Sequence, residues 1–256
     1  MRAVIVLLFV LLAGPAAGEL PRDLVAADTR RVVEVIDGDT VVLDDRRQVR
    51  LVGTQAPKLP LGRRNFPTWP LAPESKAALE SLAQGRLVTL HYGGERVDRN
   101  RRALAHLVRE DGVWLQGEML TRGMARVYTF PDNRAAVPEM LAREGAARAA
   151  RRGIWAHPYY AVRHPEALDG LTDTFQIVEG RVLRTARAGG GVYLNFGADH
   201  RQDFTVFVPG EALRLYRAAG LDPLALAGRT IRVRGWIAAR NGPLIQATHP
   251  EQIELP

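Results

Sequence analysis

Cysteine is absent from the 256-residue chain. No disulfide can form, and no thiol stands near the N-terminus to carry a lipid. Lysine is nearly absent too: of 35 basic residues only Lys58 and Lys76 are lysine, the rest being arginine. Arginine bias on that scale can reflect genome composition, so charge alone is weak evidence for a nucleic-acid ligand, although the planar guanidinium suits phosphate. The two histidines that fall in strand patterns, His91 and His106, lack metal-ligand spacing and read as packing or surface residues. Beyond the N-terminus no apolar run is long enough to cross a bilayer.

What is present begins with Met1-Arg2, an apolar run from Ala3 to Ala13, and the small residues Gly14-Pro15-Ala16-Ala17-Gly18. That is the layout of a secretory signal peptide over 1–18, with cleavage before Glu19 and an exported product, periplasmic or secreted, that does not insert stably in a membrane. An uncleaved anchor is the alternative. The remainder is globular in composition, 46% hydrophobic and 25% charged, with a net charge of +7. The length allows two small domains, and the basic balance favours a polyanionic partner.

The most informative stretch is Val32 to Lys58. Val33, Val35, Thr40, Val41 and Val42 are β-branched, Asp37-Gly38 interrupts them with a bend, Asp44 to Arg47 is turn material, and Val49 to Val52 begins a return strand. Asp37 and Asp39 flank a glycine inside an otherwise apolar strand, where a carboxylate needs a cation or a partner. Arg50 lies in the return strand. Leu59 to Pro73 is a proline-rich loop carrying Arg63, Arg64, Phe66 and Trp69, able to stack on bases but more simply pinning the loop to the core. A helix is expected from Pro73 to Ala83 with Ala77, Ala78, Leu79 and Leu82 inward and Gly85 as its stop. A strand over Arg86 to Tyr92, a hairpin over Val97 to Arg109 with its turn at Asp98 to Arg102, and helices over Trp114 to Met124 and Val137 to Arg152 follow. Arg143, Arg148, Arg151 and Arg152 read as the solvated face of the last helix.

The residues Ile36-Asp37-Gly38-Asp39-Thr40, Arg50-Leu51-Val52-Gly53, Ala56-Pro57, Asp98 to Ala105, Gly117 to Tyr128 and Arg152-Gly153-Ile154-Trp155 occur in the order found in the thermonuclease (staphylococcal nuclease) family, which the chain resembles from about Arg31 to Trp155. The resemblance implies an α+β, mainly β fold: a five-stranded OB-type barrel with helices. It implies phosphodiester hydrolysis of nucleic acid, with Asp39 as a calcium ligand and Arg50 and Arg102 on the scissile phosphate. The family segment Asp-x-Pro-Glu, which holds a second calcium ligand and the general base, reads Gln55-Ala56-Pro57-Lys58 here. Gln55 offers only a neutral oxygen to a metal, and a protonated Lys58 has no acceptor at all. The expected cofactor is therefore calcium at a weakened site, or no metal. Lys58 either joins Arg50 and Arg102 against phosphate or points to solvent. Arg99 and Arg101 are further candidates for nucleic-acid contact, and Arg101 replaces the family's usual glycine.

Ala156 to Thr174 reads as a linker between the thermonuclease-like domain (31–155) and a second domain (175–256). Strand patterns at Ile177–Arg184, Val192–Phe196, Phe204–Val208, Thr230–Ile237 and Leu244–Ala247, with a helix over Glu211–Ala219, give the order of a second small OB-like β-barrel. It carries no catalytic constellation. Tyr193, Phe196, Arg232, Arg234, Trp236 and Arg240 are candidates to meet a single strand, with Phe196 and Trp236 better read as core, and Arg232 and Arg234 sharing an outward face. Three readings stay open: an exported phosphodiesterase with altered or lost activity, a non-catalytic nucleic-acid or polyanion binder, and an envelope scaffold for a protein partner.

Overall fold

The computed structural model describes residues 23–199 and 201–256. The signal-peptide reading of 1–18 lies outside the described residues. Alternating burial builds the first module. Val32, Val35, Val41, Leu43, Val49, Leu51, Val88, Leu90 and Leu107 point inward from successive strands and are essentially inaccessible. Those strands are β1 (Val25–Asp37), β2 (Thr40–Leu43), β3 (Gln48–Leu51), β5 (Leu87–Tyr92) and β6 (Ala103–Arg109). They close a five-stranded barrel in the order β1-β2-β3-β6-β5. The long β1 serves both sides of the closure, pairing β5 through its first half and β2 through its second. It starts at Val25, six residues before the expected boundary at Arg31.

A short strand β4 (Thr54–Gln55) leaves the barrel and pairs with β7 (Arg126–Val127). Helix α1 (Ala72–Ala83) buries Leu79, Leu82 and Ala83 in the barrel core, whereas Ala77, expected inward, is exposed. Helices α2 (Leu115–Thr121) and α3 (Val137–Ala149) complete the module, both shorter than expected. The five-stranded OB-type fold implied by the sequence is present.

The second module is a sheet in the order β14-β12-β13-β11-β10-β9, with β8 also on β12. Its strands are β8 (Phe175–Arg181), β9 (Arg184–Ala188), β10 (Gly191–Asn195), β11 (Thr205–Pro209), β12 (Thr230–Ala239), β13 (Pro243–Gln246) and β14 (Ile253–Glu254), with the short helix α4 (Leu213–Ala218) between β11 and β12. Val192, Leu194, Val206, Val208, Ile231, Val233 and Ile245 form its core with Tyr216. Among the described residues the pairings do not close this sheet into a ring.

The connecting segment is not a loose tether. It carries 3-10 turns at Gly153–Ala156, Pro158–Tyr160 and Pro165–Ala167. Tyr160 is buried among Ala147, Trp155 and Ile177, and its hydroxyl donates to the Pro70 carbonyl at 2.7 Å. The two modules also share a buried charge network. Arg234, 1% exposed, donates to the Val127 carbonyl at 3.1 Å and to both oxygens of Glu144 at 3.0 and 2.8 Å. Glu254 joins Arg234 to Arg148 and Arg232. Flanking this network, Arg134 grips Glu251, the Thr129 hydroxyl meets His249 Nε2 at 2.7 Å, and Trp236 Nε1 donates to the Tyr128 hydroxyl.

This interface corrects three sequence expectations. Arg232 and Arg234 do point away from their own module's core, but Arg234 is buried against Glu144 of the first module and is no surface for nucleic acid, while Arg232 is paired with Glu179 and Glu254 of its own module. Arg148, expected in solvent, belongs to the same network through Glu144 and Glu254. Trp236, expected in the core, is 44% exposed beside Tyr128, while Phe196 is buried as expected.

Candidate active site

The site grows from the corner between β1 and β2. Gly38 occupies that corner in contact with two other elements: a Cβ there would lie 2.0 Å from Ser75 Oγ of α1 and 2.7 Å from Ala56 Cβ. Only glycine fits. The tight turn places Asp37 and Asp39 on the same side, with the Asp39 amide donating to Asp37 Oδ1 at 3.1 Å. β3 then brings Arg50 opposite Thr40, and the chain after β4 brings the Ala56 amide to Asp39 Oδ2 at 2.8 Å.

Asp39 is fully buried and saturated with donors. Arg50 Nη1 lies 3.0 Å from Oδ1 and the Thr40 hydroxyl 3.1 Å from it. Lys58 reaches in as well. Its Nζ sits 2.6 Å from each Asp39 oxygen and 3.1 Å from Asp37 Oδ2, with its side chain 16% exposed. The ammonium thus occupies the space between the two carboxylates, which decides against the solvent-facing reading of Lys58. Burial alone would raise the Asp39 pKa, but the Arg50 and Lys58 charges and the Lys58 and Ala56 hydrogen bonds outweigh it, and the carboxyl is held well below its usual range. Asp37 goes the other way: burial first, then the neighbouring Asp39 charge, push its pKa up despite Lys58.

Arg102 stands one residue before β6, whose parallel pairing with β3 sets Arg50 opposite Leu104. Ala103 and Ala105 face inward, as do Val49 and Leu51, so Arg50 and Arg102 share the barrel's outer face at neighbouring levels. Arg102 is held by Asp98, through Nε at 2.8 Å and Nη2 at 2.7 Å, rather than by the Asp39 cluster. Asp98 also accepts the amides of Asn100 and Arg102 at 2.8 and 2.9 Å, so one carboxylate both shapes the turn and aims the arginine. Arg101 sits in the left-handed region, φ 62°, a conformation that glycine adopts without strain. Arg99 and Arg101 are exposed at this turn.

Gln55 is engaged elsewhere. Its Oε1 accepts from Arg126 Nε at 2.9 Å. Burial depresses the Arg126 pKa to about 10, and the guanidinium lies over the Phe175 ring at 4.5 Å. Nothing in the sequence around Arg126 signalled this pairing; it arises because β4 and β7 are neighbours. Calcium takes six to eight oxygen ligands. Here the Asp39 oxygens are occupied by four donors, Gln55 serves Arg126, and an ammonium fills the space between the acids. Among the described residues no three acidic or histidine side chains converge as a ligand set. The residues present do not fit calcium.

Comparison with known proteins places the first module in a family. The profile described as staphylococcal nuclease homologue matches residues 48–157. An Escherichia coli protein described as an uncharacterized endonuclease is 32% identical over 129 residues, 49% of this chain and 76% of that protein. The thermonuclease of Staphylococcus intermedius is 31% identical over 142 residues, 51% of this chain and 78% of its own. Protein ParB of Escherichia coli is 32% identical over 176 residues, 62% and 85% of the two chains. The chain belongs to the staphylococcal nuclease family. The matched profile begins at β3 and so includes Arg50, Lys58 and Arg102, while Asp37 and Asp39 precede it and the sheet beyond Phe175 lies outside it.

Proposed function

We propose that this staphylococcal nuclease homologue holds a nucleic-acid phosphodiester without calcium and cleaves it slowly, with Lys58 taking the ion's electrostatic place. The observation that supports this reading is the Lys58 ammonium, 2.6 Å from both oxygens of Asp39. Two bare buried carboxylates would repel a phosphodiester. The tethered ammonium offsets one of the two negative charges from within and Arg50 offsets the other, while both arginines keep N–H groups for the incoming anion. Each guanidinium has five donors and spends two here, Arg50 on Asp39 and the Thr54 carbonyl, Arg102 on Asp98. The remaining N–H groups suit the bidentate geometry of phosphate.

Slow cleavage follows from the missing base. Positioned proton transfer contributes about 10²–10⁴-fold, and Lys58 stands where the family carries the glutamate. Asp37 is the acid whose raised pKa moves it toward a base's range. A second reading, binding without cleavage, is favoured by the engagement of both Asp37 oxygens, one by the Asp39 amide and one by Lys58. Export from the cytoplasm, read from 1–18, belongs to the same proposal.

The test is cleavage and binding of fluorescent single-stranded DNA and RNA by the chain from Glu19 onward, in calcium and in chelator, beside Arg102→Ala. Cleavage equal in both conditions and lost in Arg102→Ala is expected. Cleavage that requires calcium would overturn the role given to Lys58. Salt-sensitive binding with no cleavage would select the second reading, and neither activity would leave a protein partner as the ligand.

A further inference from the structure

The second module carries a groove that the nuclease-like site does not use. Its volume is about 490 Å³. Strand register explains why it is there. On the face turned away from the Val192–Leu194–Val206 core, Tyr193 of β10 stands opposite Phe207 of β11 on one side and Ala186 of β9 on the other. The two rings contact at 4.7 Å between centroids, tilted by 37°. Ala186 and Ala188 are small and exposed, so the edge strand leaves the ring of Tyr193 open along that side. Asn195 and Thr205, opposite one another, add polar atoms to the floor. Arg184 of β9 and Arg240, in the turn between β12 and β13, line its walls. Arg240 is exposed and has no ion-pair partner among the described residues.

This combination is uncommon for an outward sheet face. Half-buried aromatics on a solvent face give up area that a core would use, and the alanines beside them leave it uncovered. Arg184 also donates to the Ala198 carbonyl at 3.4 Å, so Arg240 is the cation on which the argument rests. A flat ring bordered by an exposed guanidinium suits a single nucleic-acid strand, a base on the ring and a phosphate on the arginine. A neutral sugar would use the ring and the amide but has no use for the cation. We propose that this groove is a second nucleic-acid site, taking a single strand with a base stacked on Tyr193 and the backbone passing Arg240. It is distinct from the Asp39 corner and does not depend on cleavage there.

The experiment is fluorescence anisotropy of a labelled oligothymidylate on the chain from Glu19 onward. Arg50→Ala/Arg102→Ala is the background that removes phosphate contacts at the first site. In that background binding is expected to persist. Adding Tyr193→Ala is expected to weaken it by about tenfold or more, and adding Arg240→Ala to lower the salt slope by about one. Ala186→Glu, an exposed position that tolerates the longer side chain, is expected to weaken binding similarly by placing a carboxylate in the groove. Unchanged affinity in both Tyr193→Ala and Ala186→Glu, with thermal unfolding unaltered, would overturn the proposal. Loss of all binding in the double-arginine background would also overturn it, and would assign all binding by the parent chain to the first site. Selective binding of a neutral oligosaccharide instead of the oligonucleotide would do the same.

Discussion

At the scale of single residues the chain turns on Lys58. A buried acid with no counter-charge costs several kcal/mol, and the Asp37–Asp39 pair has its counter-charge supplied by the same chain. Lys58→Met is expected to destabilise the fold by about 3–5 kcal/mol at neutral pH, read as a fall in thermal midpoint. Lys58→Glu is expected to do the same in chelator, and then to regain stability when calcium is added, because the substitution converts the ammonium's place into a third carboxylate. The parent chain's midpoint is expected to ignore calcium. A parent midpoint that rises with calcium would contradict the fit described for this corner. The sequence alone showed that Lys58 stands in the base's position. It could not show which way the side chain points, since that depends on Gly38 holding the acids within reach.

At the scale of elements, the Asp98–Arg102 turn is ordered by hydrogen bonds to Asp98 and strained at Arg101. An L-residue in the left-handed region costs roughly 1–2 kcal/mol. Arg101→Gly is expected to stabilise the chain by about 1 kcal/mol while leaving nucleic-acid binding through Arg102 in place, checked by denaturant titration beside the binding assay. Elements were the most legible level of the sequence. The β-branched run of Val33, Val35, Thr40, Val41 and Val42 announced the first barrel strands, and Gly85 with φ 73° ends α1 where expected. Helix ends moved inward because Trp114 and Met124 belong to packing rather than to α2. The faces of β12 were misread for a physical reason: alternation tells which side a residue points to, not what covers that side. Arg234 points outward from its sheet into another module, Arg232 is held by Glu179 and Glu254 of its own sheet, and Trp236 on the same strand reaches past it to the Tyr128 hydroxyl and solvent. Gln55 was legible as a substitution but not in its partner, because Arg126 lies 71 residues away and meets it only through the β4–β7 pairing.

At the scale of the whole molecule, the two modules are joined through buried charges. Glu144 of α3 is fully buried and its carboxylate faces Arg234 from the other module. Glu144→Gln is expected to cost about 3–5 kcal/mol and to lower a single unfolding transition rather than split it in two, as seen by calorimetry. The same interface makes stability depend on pH through His249, whose pKa burial lowers from 6.5 to about 4, the Glu251 charge working against it. Only the unfolded chain binds that proton within this window. Stability is therefore full above about pH 6.5 and declines as pH falls toward 4, by on the order of 3 kcal/mol at the lower end. His106, buried against Trp114 with its pKa lowered to about 3, adds a loss of the same sign. Denaturant midpoints measured at pH 7 and pH 5 are expected to differ in that direction, and His249→Gln is expected to shrink the difference.

A cation carried on a side chain obeys different rules from one drawn out of solution. Its effective concentration is fixed by the tether and does not fall on dilution, no chelator can remove it, and no rival ion has to be excluded. Whatever the mineral content of its surroundings, the electrostatic state of the Asp37–Asp39 corner becomes a property written in the gene rather than negotiated with the medium.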